Sequence, residues 1–345
     1  ESFSAETKSR YRRAVSAIAK RKRENESQTA KRLTETAKKQ GCLLGNLLFT
    51  PDGKYIVFWL VSAVVVFSAL SLLSFSLIGW TTCLLLIPFG IASGSIADIF
   101  VSRIMQNPSV PRIELDSVPD DAKTLVTGAA LITGEKNDER VFDSLVKFRY
   151  MNPDENIYFC LLADLPDAET PYMPRDNEII GNAYRRIDEI NRLHGDRFCI
   201  FFRERVFNKS ESSYGGWERK RGAVCELVSH IVNGDKREFR GGDFIRDIKY
   251  IVTLDSDTNL SVGSVKELLS VALHPLNRPQ TVDGKIVSGY GIVQPSVRTE
   301  LKSAYKSSFS RLISGSGGAD VYSGASFSRK QSLLGFGTFC GKGLI

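Results

Sequence analysis

Three histidines and six cysteines in 345 residues, with no two cysteines spaced as C-x-x-C, supply neither a metal-binding framework nor a disulfide one. Cys42, Cys83, Cys160, Cys199, Cys225 and Cys340 read as free thiols of a reducing compartment, three of them inside apolar runs. His194, His230 and His274 are scattered over expected helices and read as structural. A cleavable secretory signal, an internal repeat and a low-complexity tract are all missing. Beyond Lys54 there is also no net charge. Of the 46 Lys and Arg, 13 fall in residues 1–54 together with 6 of the 39 Asp and Glu, which leaves 33 of each sign for the rest. The excess of +7 therefore belongs to the N-terminal arm, and the main domain lacks the basic surface of a nucleic-acid binder. The length suggests about two units, and a first residue of Glu1 rather than Met suggests a piece of a longer polypeptide.

The longest absence is of charge between Lys54 and Asp98. As helix, residues 55–97 would extend about 65 Å, roughly twice the hydrocarbon thickness of a bilayer. Residues 56–78 carry fifteen Leu, Ile, Val or Phe against five Ser, enough for one span. Gly79-Trp80 offers a turn beside an interfacial aromatic, and residues 81–97, with Pro88, Gly90 and Gly94, form a shorter second run that reads as a return pass or a re-entrant helix. Twelve cations between Lys8 and Lys39 place the N-terminus in the cytoplasm by the positive-inside rule. With a returning second pass the domain that follows is cytoplasmic too. The expected organisation is a basic helical arm at 1–54, a transmembrane hairpin at 55–105, and an α/β domain at 106–345.

After Pro108 and Pro111 short apolar runs alternate with amphipathic ones. Strands are expected at 124–133, 156–162, 198–202, 250–254 and 292–294, and helices at 138–150, 177–194, 222–232 and 262–273. Such alternation implies a mostly parallel sheet whose ligand groups stand at the carboxyl ends of its strands.

Those ends carry the chemistry. Asp255-Ser256-Asp257 follows the apolar run Tyr-Ile-Val-Thr-Leu; two carboxylates at i and i+2 can share a hard divalent cation that neutralises a diphosphate, or can simply cap a turn. Asp164 closes the second strand. Gly216-Trp217-Glu218-Arg219-Lys220-Arg221-Gly222 opens a helix with three consecutive cations, suited to an anion or to a solvated basic turn, and Trp217 could equally be core. Two glycine-flanked segments, 288–295 and 335–343, allow close approach of backbone to a ligand, or a turn.

In order, these residues resemble the nucleotide-sugar-binding GT-A fold of processive membrane glycosyltransferases, and more closely the glycosyltransferase segment of cyclic β-1,2-glucan synthases. The resemblance runs from about Ser109 to Ile345 on GWERKRG (216–222), LDSDT (254–258), HPLNRP (274–279), GYGIVQP (289–295) and GKG (341–343). It implies inverting transfer from UDP-glucose onto a growing β-glucan, at the lipid bilayer of the bacterial inner membrane, by a GT-A domain that is C-terminally incomplete at Ile345, with Mg²⁺ or Mn²⁺ as cofactor. Asp164 would meet the uridine, Lys220 the uracil or diphosphate, and Asp255 and Asp257 the metal. Trp217, Arg219, Arg221, Tyr290, Gln294 and Lys342 complete the implied substrate-binding set. A tyrosine, Tyr322 or Tyr290, is the implied glucan attachment point. The general base and a Q-x-x-R-W-like element are expected beyond Ile345, in further domains of the same polypeptide. Phe336 departs from the family pattern at a position where an acidic residue is usual. Two other readings fit the same residues: a processive synthase of another linear polysaccharide, and a non-catalytic nucleotide-sugar-binding membrane module.

Overall fold

The computed structural model describes residues 3–49, 54–104, 110–136, 138–234, 240–255, 257–295, 297, 300, 305–314, 339 and 341–345. The chain divides into two units, one of residues 1–3, 112–294 and 341–345, the other of residues 4–111 and 295–340.

The first unit is built on a five-stranded sheet. Its strands are β1 (Thr124–Leu131), β2 (Ile157–Asp164), β3 (Phe198–Phe202), β6 (Tyr250–Asp255) and β9 (Gly343–Leu344), in the order β3-β2-β1-β6-β9. All neighbours are parallel except β9, which runs antiparallel to β6 with Val252 opposite Leu344 and Thr253 opposite Gly343. Successive strand residues enter two different cores. Phe159, Leu161, Val126, Val252 and Ile200 pack on the face covered by α6 (Asp138–Met151), α7 (Asp176–His194) and α9 (Ser264–Ala272). Cys160, Leu162, Leu125, Ile251 and Phe201 pack on the opposite face, against Ala223 and Leu227 of α8 (Arg219–Asn233) and Ile245 and Ile248 near a short 3₁₀ turn. Burial on both faces explains why these strands read as continuous apolar runs rather than as alternating ones. Two antiparallel hairpins, β4–β5 (Val206–Asn208 with Ser213–Gly215) and β7–β8 (Gln280–Val282 with Lys285–Ser288), stand outside the sheet.

The expected parallel strands and their helices are present, within a few residues at each end. The strand expected at 292–294 is reduced to a single bridge, Val293 to Leu344, because the partner it meets is the two-residue β9. Helix α8 begins at Arg219, earlier than expected, so the cations of the Trp217–Arg221 stretch lie in its first turn.

In the second unit, α1 (Ala5–Lys22) and α2 (Glu26–Gln40) are capped by Ser4 and Asn25, whose side-chain oxygens accept from Thr7 N and Ser27 N. They pack through Thr7 and Ala19 on α1 and Thr29, Leu33 and Ala37 on α2, so their cations are left outward. After α3 (Leu44–Leu48), whose neighbour Phe49 is held by Tyr11 and by Arg10 over its ring, come α4 (Lys54–Ile78) and α5 (Leu86–Ile104), joined by a 3₁₀ segment over Gly79–Leu85. These last two lie side by side: Trp59 Nε1 donates to Asp98 Oδ1 at 2.6 Å and Phe58 stacks on Phe100. The second helix continues through Asp98, which the indole N–H meets, to Ile104. The stretch Ile56–Val101 is long and apolar enough, by length and composition, to cross a membrane. A short α10 (Ser308–Ser314) is the remaining described helix of this unit.

Phe159 is fully buried and stacked on Phe198 at 5.4 Å between ring centres. Phe159→Ala should cost about 3–5 kcal/mol of stability, read as a lowered urea midpoint for the unit that contains the sheet.

Candidate functional site

The sheet order reverses direction between β1 and β6: from β1 the chain steps to β2 and β3 on one side and then returns to place β6 on the other. Ligands of open α/β sheets bind outside the carboxyl ends of the strands at such a switch point. Four strand ends define this rim. The loop after β1 is fixed by Asp138, whose carboxylate accepts from Thr133 N at 3.0 Å and Gly134 N at 2.7 Å. Strand β2 ends in Asp164, β3 is followed by Arg203, and β6 ends in Asp255.

Arg203 organises one side. Its side chain is 1% exposed, and Nε and Nη2 donate to the two carboxylate oxygens of Asp164 at 2.7 and 2.6 Å. Nη1 reaches Trp217 O at 2.9 Å and Glu226 at 3.3 Å, while Nη2 also reaches Arg219 O at 2.9 Å. Burial alone would weaken this guanidinium's charge, but Asp164 and Glu226 outweigh it and hold its pKa above the ordinary value. The motif's glycines are explained by the same group. A Cβ on Gly216 would stand 2.5 Å from Arg203 Nη2, and one on Gly222 would meet Trp217 O at 1.8 Å and Arg203 Nη1 at 2.8 Å. Between those glycines Glu218 and Arg219 both take φ +47°, a left-handed conformation costly for side-chain-bearing residues and maintained here by the Arg203 bonds to the flanking carbonyls.

The turn so held aims one of its three cations inward. Lys220 Nζ lies 2.5 Å from Asp255 Oδ1 and also donates to Gly341 O. Lys342 Nζ lies 3.0 Å from Asp255 Oδ2. It is brought there by β9, whose pairing continues through Ile345 N to Ile251 O at 2.8 Å and Leu344 N to Val293 O at 2.9 Å, with Thr253 Oγ1 donating to Gly341 O at 3.1 Å. Desolvation would raise the Asp255 carboxyl, but the ammonium groups of Lys220 and Lys342 prevail and its pKa is lowered. Arg219 turns instead to Asp167 at 2.5 Å and Arg221 to Glu218 at 3.1 Å, both largely in solvent.

The structure therefore brings Lys220, Asp255 and Lys342 into direct contact. Asp164 sits at the rim with both oxygens engaged by Arg203. Asp257 is exposed two residues past Asp255, and Trp217 is half exposed. Tyr290 is also half exposed; its N–H donates to Asn277 O at 2.8 Å, which ties GYGIVQP to HPLNRP. Gly289, at φ +77°, passes 2.1 Å from Arg278 O by the position of a Cβ, and Asn277 is buried with its amide on Val271 O. Those two motifs pack together and seat Val293 on Leu344 of β9, with Gln294 next in the chain. Tyr322 and Phe336 lie outside the described residues. Among the described residues no group of three or more His, Cys, Asp or Glu is arranged to hold a metal ion. Asp255 and Asp257 are the carboxylates at this end of β6, and both oxygens of Asp255 are engaged by Lys220 and Lys342.

Arg203 belongs to none of the sequence motifs, although a cation placed directly after the buried run 198–202 mirrors Asp164 after β2. Its partner Glu226, and the Asp167 that Arg219 meets, have no pattern of their own.

Compared with known proteins, the chain matches no protein-family model. Over 240 residues, 67% of its length, it is 33% identical to cyclic beta-(1,2)-glucan synthase NdvB of Rhizobium meliloti (strain 1021), and it spans 8% of the length of that protein.

Two outcomes follow from the geometry. Arg203→Ala should destabilise the unit by about 3–5 kcal/mol by stranding Asp164, with Arg203→Lys restoring only part because it cannot bridge both oxygens and two carbonyls; urea titration reads both. The lowered Asp255 pKa makes its ion pairs stabilising above the unfolded carboxyl's value of about 3.9, and that contribution is lost as pH falls through the folded value. The stability gap between the parent and Asp255→Asn should accordingly close on acidification below about pH 4, measured by denaturant midpoints across pH.

Proposed function

From the premise that this chain is related in sequence to a segment of a cyclic β-(1,2)-glucan synthase, we propose that it is the donor-binding part of a membrane-bound inverting glucosyltransferase that uses UDP-glucose to extend a β-1,2-glucan. The observation that carries this reading is the convergence of Lys220 and Lys342, from segments 122 residues apart, on Asp255 at the carboxyl end of β6 beside the switch point. Two ammonium groups and a carboxylate at a Rossmann-like rim suit a diphosphate better than a neutral sugar.

In this mechanism Asp164, held by Arg203, lies on the side of the rim where the nucleoside is accommodated. Lys220 and Lys342 bind the diphosphate oxygens, and their charge stabilises UDP as it leaves the anomeric carbon. A Mg²⁺ or Mn²⁺ ion held by Asp255 and Asp257 would add Lewis-acid neutralisation of the same diphosphate. The acceptor hydroxyl attacks from the face opposite UDP and gives its proton to a carboxylate base. We assign that base, and the acceptor grip, to further parts of a longer polypeptide, in keeping with the small share of the relative that the chain spans.

The membrane part of the reading is supported by the apolar stretch Ile56–Val101, on which Leu72, Leu77, Leu84 and Ile87 each stand more than 70% exposed within the chain. Exposed apolar surface of that extent is expected where lipid covers it. With α4 and α5 as two passes and the cations of α1 and α2 inside, the α/β unit faces the cytoplasm, where a nucleotide sugar is available.

Calorimetry of the detergent-solubilised chain with UDP-glucose should show binding in Mg²⁺ that EDTA abolishes, and at least a tenfold loss in Asp255→Ala/Asp257→Ala. Binding that ignores both the chelator and the double substitution would remove the metal-diphosphate reading; no binding in any condition would remove the donor site.

A further inference from the structure

Residues 4–49 hold twelve cations against four carboxylates. Ten of the twelve are exposed, among them Lys20, Arg21 and Lys22 in the last turn of α1 and Lys38 and Lys39 in that of α2. A last-turn position suits those five through the helix dipole, yet Lys8, Arg12, Arg13 and Lys31 have no such reason to gather here. The other two cations are engaged: Arg32 pairs with Glu24 at 2.9 Å, and the Arg10 guanidinium lies 4.1 Å above the Phe49 ring. Close-set like charges destabilise a compact structure. The surface that opposes them is small, Thr7 and Ala19 of α1 with Thr29, Leu33 and Ala37 of α2. Contact with Phe49 also fixes where the charges are. Tyr11 meets that ring edge-on at 4.9 Å, so Arg12 and Arg13 beside it on α1 are held there too. Phe49 precedes Lys54, the first residue of α4, by five residues, and five residues extend about 18 Å at most. The arm therefore cannot swing away from the start of the apolar stretch.

We propose that α1 and α2 form a docking surface for anionic lipid headgroups, which draw the arm down onto the bilayer beside the entry of α4. The occupant follows from two observations. The charge asks for a partner with many negative groups spread over an area, and the tether at Phe49 keeps the surface within reach of the bilayer that α4 enters. Leu43, exposed just before α3, adds an apolar side chain at the same boundary. The inference rests on the reading of Ile56–Val101 as membrane-spanning and goes beyond it, because an apolar span needs no anionic lipid.

The test is acetylation of the full chain in lipid nanodiscs by a water-soluble amine reagent, followed lysine by lysine in a mass spectrometer. Discs of phosphatidylcholine are compared with discs that also contain phosphatidylglycerol, at low and at high salt. Lys20, Lys31 and Lys38 should react about fivefold more slowly with phosphatidylglycerol present, and high salt should remove the difference. Exposed Lys209 and Lys285, in the unit that contains the sheet, should react alike in both discs. Arg12→Gln/Arg13→Gln/Arg21→Gln, which leaves every reporting lysine in place, should restore most of the lost reactivity. Equal rates in the two discs overturn the proposal without requiring any variant to fold. So does slowing that survives high salt, that Lys209 and Lys285 share, or that the triple substitution leaves intact. Protection by polyuridylic acid in phosphatidylcholine discs, with none from phosphatidylglycerol, also overturns it and assigns the surface to nucleic acid. A chain that associates only with phosphatidylglycerol discs, and leaves them in high salt, overturns the spanning reading while the docking surface stands. One that enters neither disc overturns both.

Discussion

Arg203 carries a full charge to 1% exposure, and a charge taken that far from water is tolerable only where acceptors surround it. Five do: two oxygens of Asp164, one of Glu226, and the carbonyls of Trp217 and Arg219. Two of these are backbone groups of a turn that would not otherwise adopt its shape. The left-handed pair Glu218–Arg219 starts α8 without a side-chain cap, and the start of α8 fixes where Lys220 points. Remove the guanidinium and the turn has no reason to hold. The residues with visible chemistry at this rim depend on one that has none toward a ligand.

The same reasoning separates the two kinds of glycine in the chain's motifs. Gly216 and Gly222 are small because a guanidinium and a carbonyl occupy the volume a methyl group would need. Gly289 is small because its backbone turns through φ +77° against the carbonyls of Asn277 and Arg278. The first pair serves the rim directly; the second serves a packing corner and reaches the site only by seating Val293 on β9. Glycine clustering by itself points to close approach, and only the identity of what approaches tells whether a ligand is involved.

Much of the α/β unit was legible in the sequence for a plain reason. Strands buried on both faces leave unbroken apolar runs, and helices against them leave a 3.6-residue period, as Ile179, Ala183, Ile187 and Ile190 do on α7. The strand ends were legible too, since Asp164 and Asp255 interrupt those runs with charge. What stayed hidden was pairing across distance. Nothing local in Gly341-Lys342-Gly343 announces an edge strand, because two residues are too few for a period, and their partner Thr253 lies 90 positions away. The hairpins β4–β5 and β7–β8 were hidden for a related reason, being mostly exposed and so free of the apolar alternation that marks a half-buried strand. The resemblance already singled out Lys220 among the three cations; the reason it, and not Arg219 or Arg221, reaches Asp255 lies in the turn's dihedral angles.

Because β9 closes the sheet from so far along the chain, the order of assembly has a built-in lag. Strands β1 to β3 are joined by local crossovers and can form while the rest of the polypeptide is still being made. The edge beside β6 must wait for residues 343–344, across a loop whose closure costs on the order of 4 kcal/mol in chain entropy. Until then Thr253 and Ile251 present open hydrogen-bonding groups along a bare strand, the kind of edge at which nascent chains pair wrongly. A ribosome-bound intermediate would thus hold a nearly complete sheet with one lysine in place and the other still unmade, and the second contact on Asp255 would come only with β9.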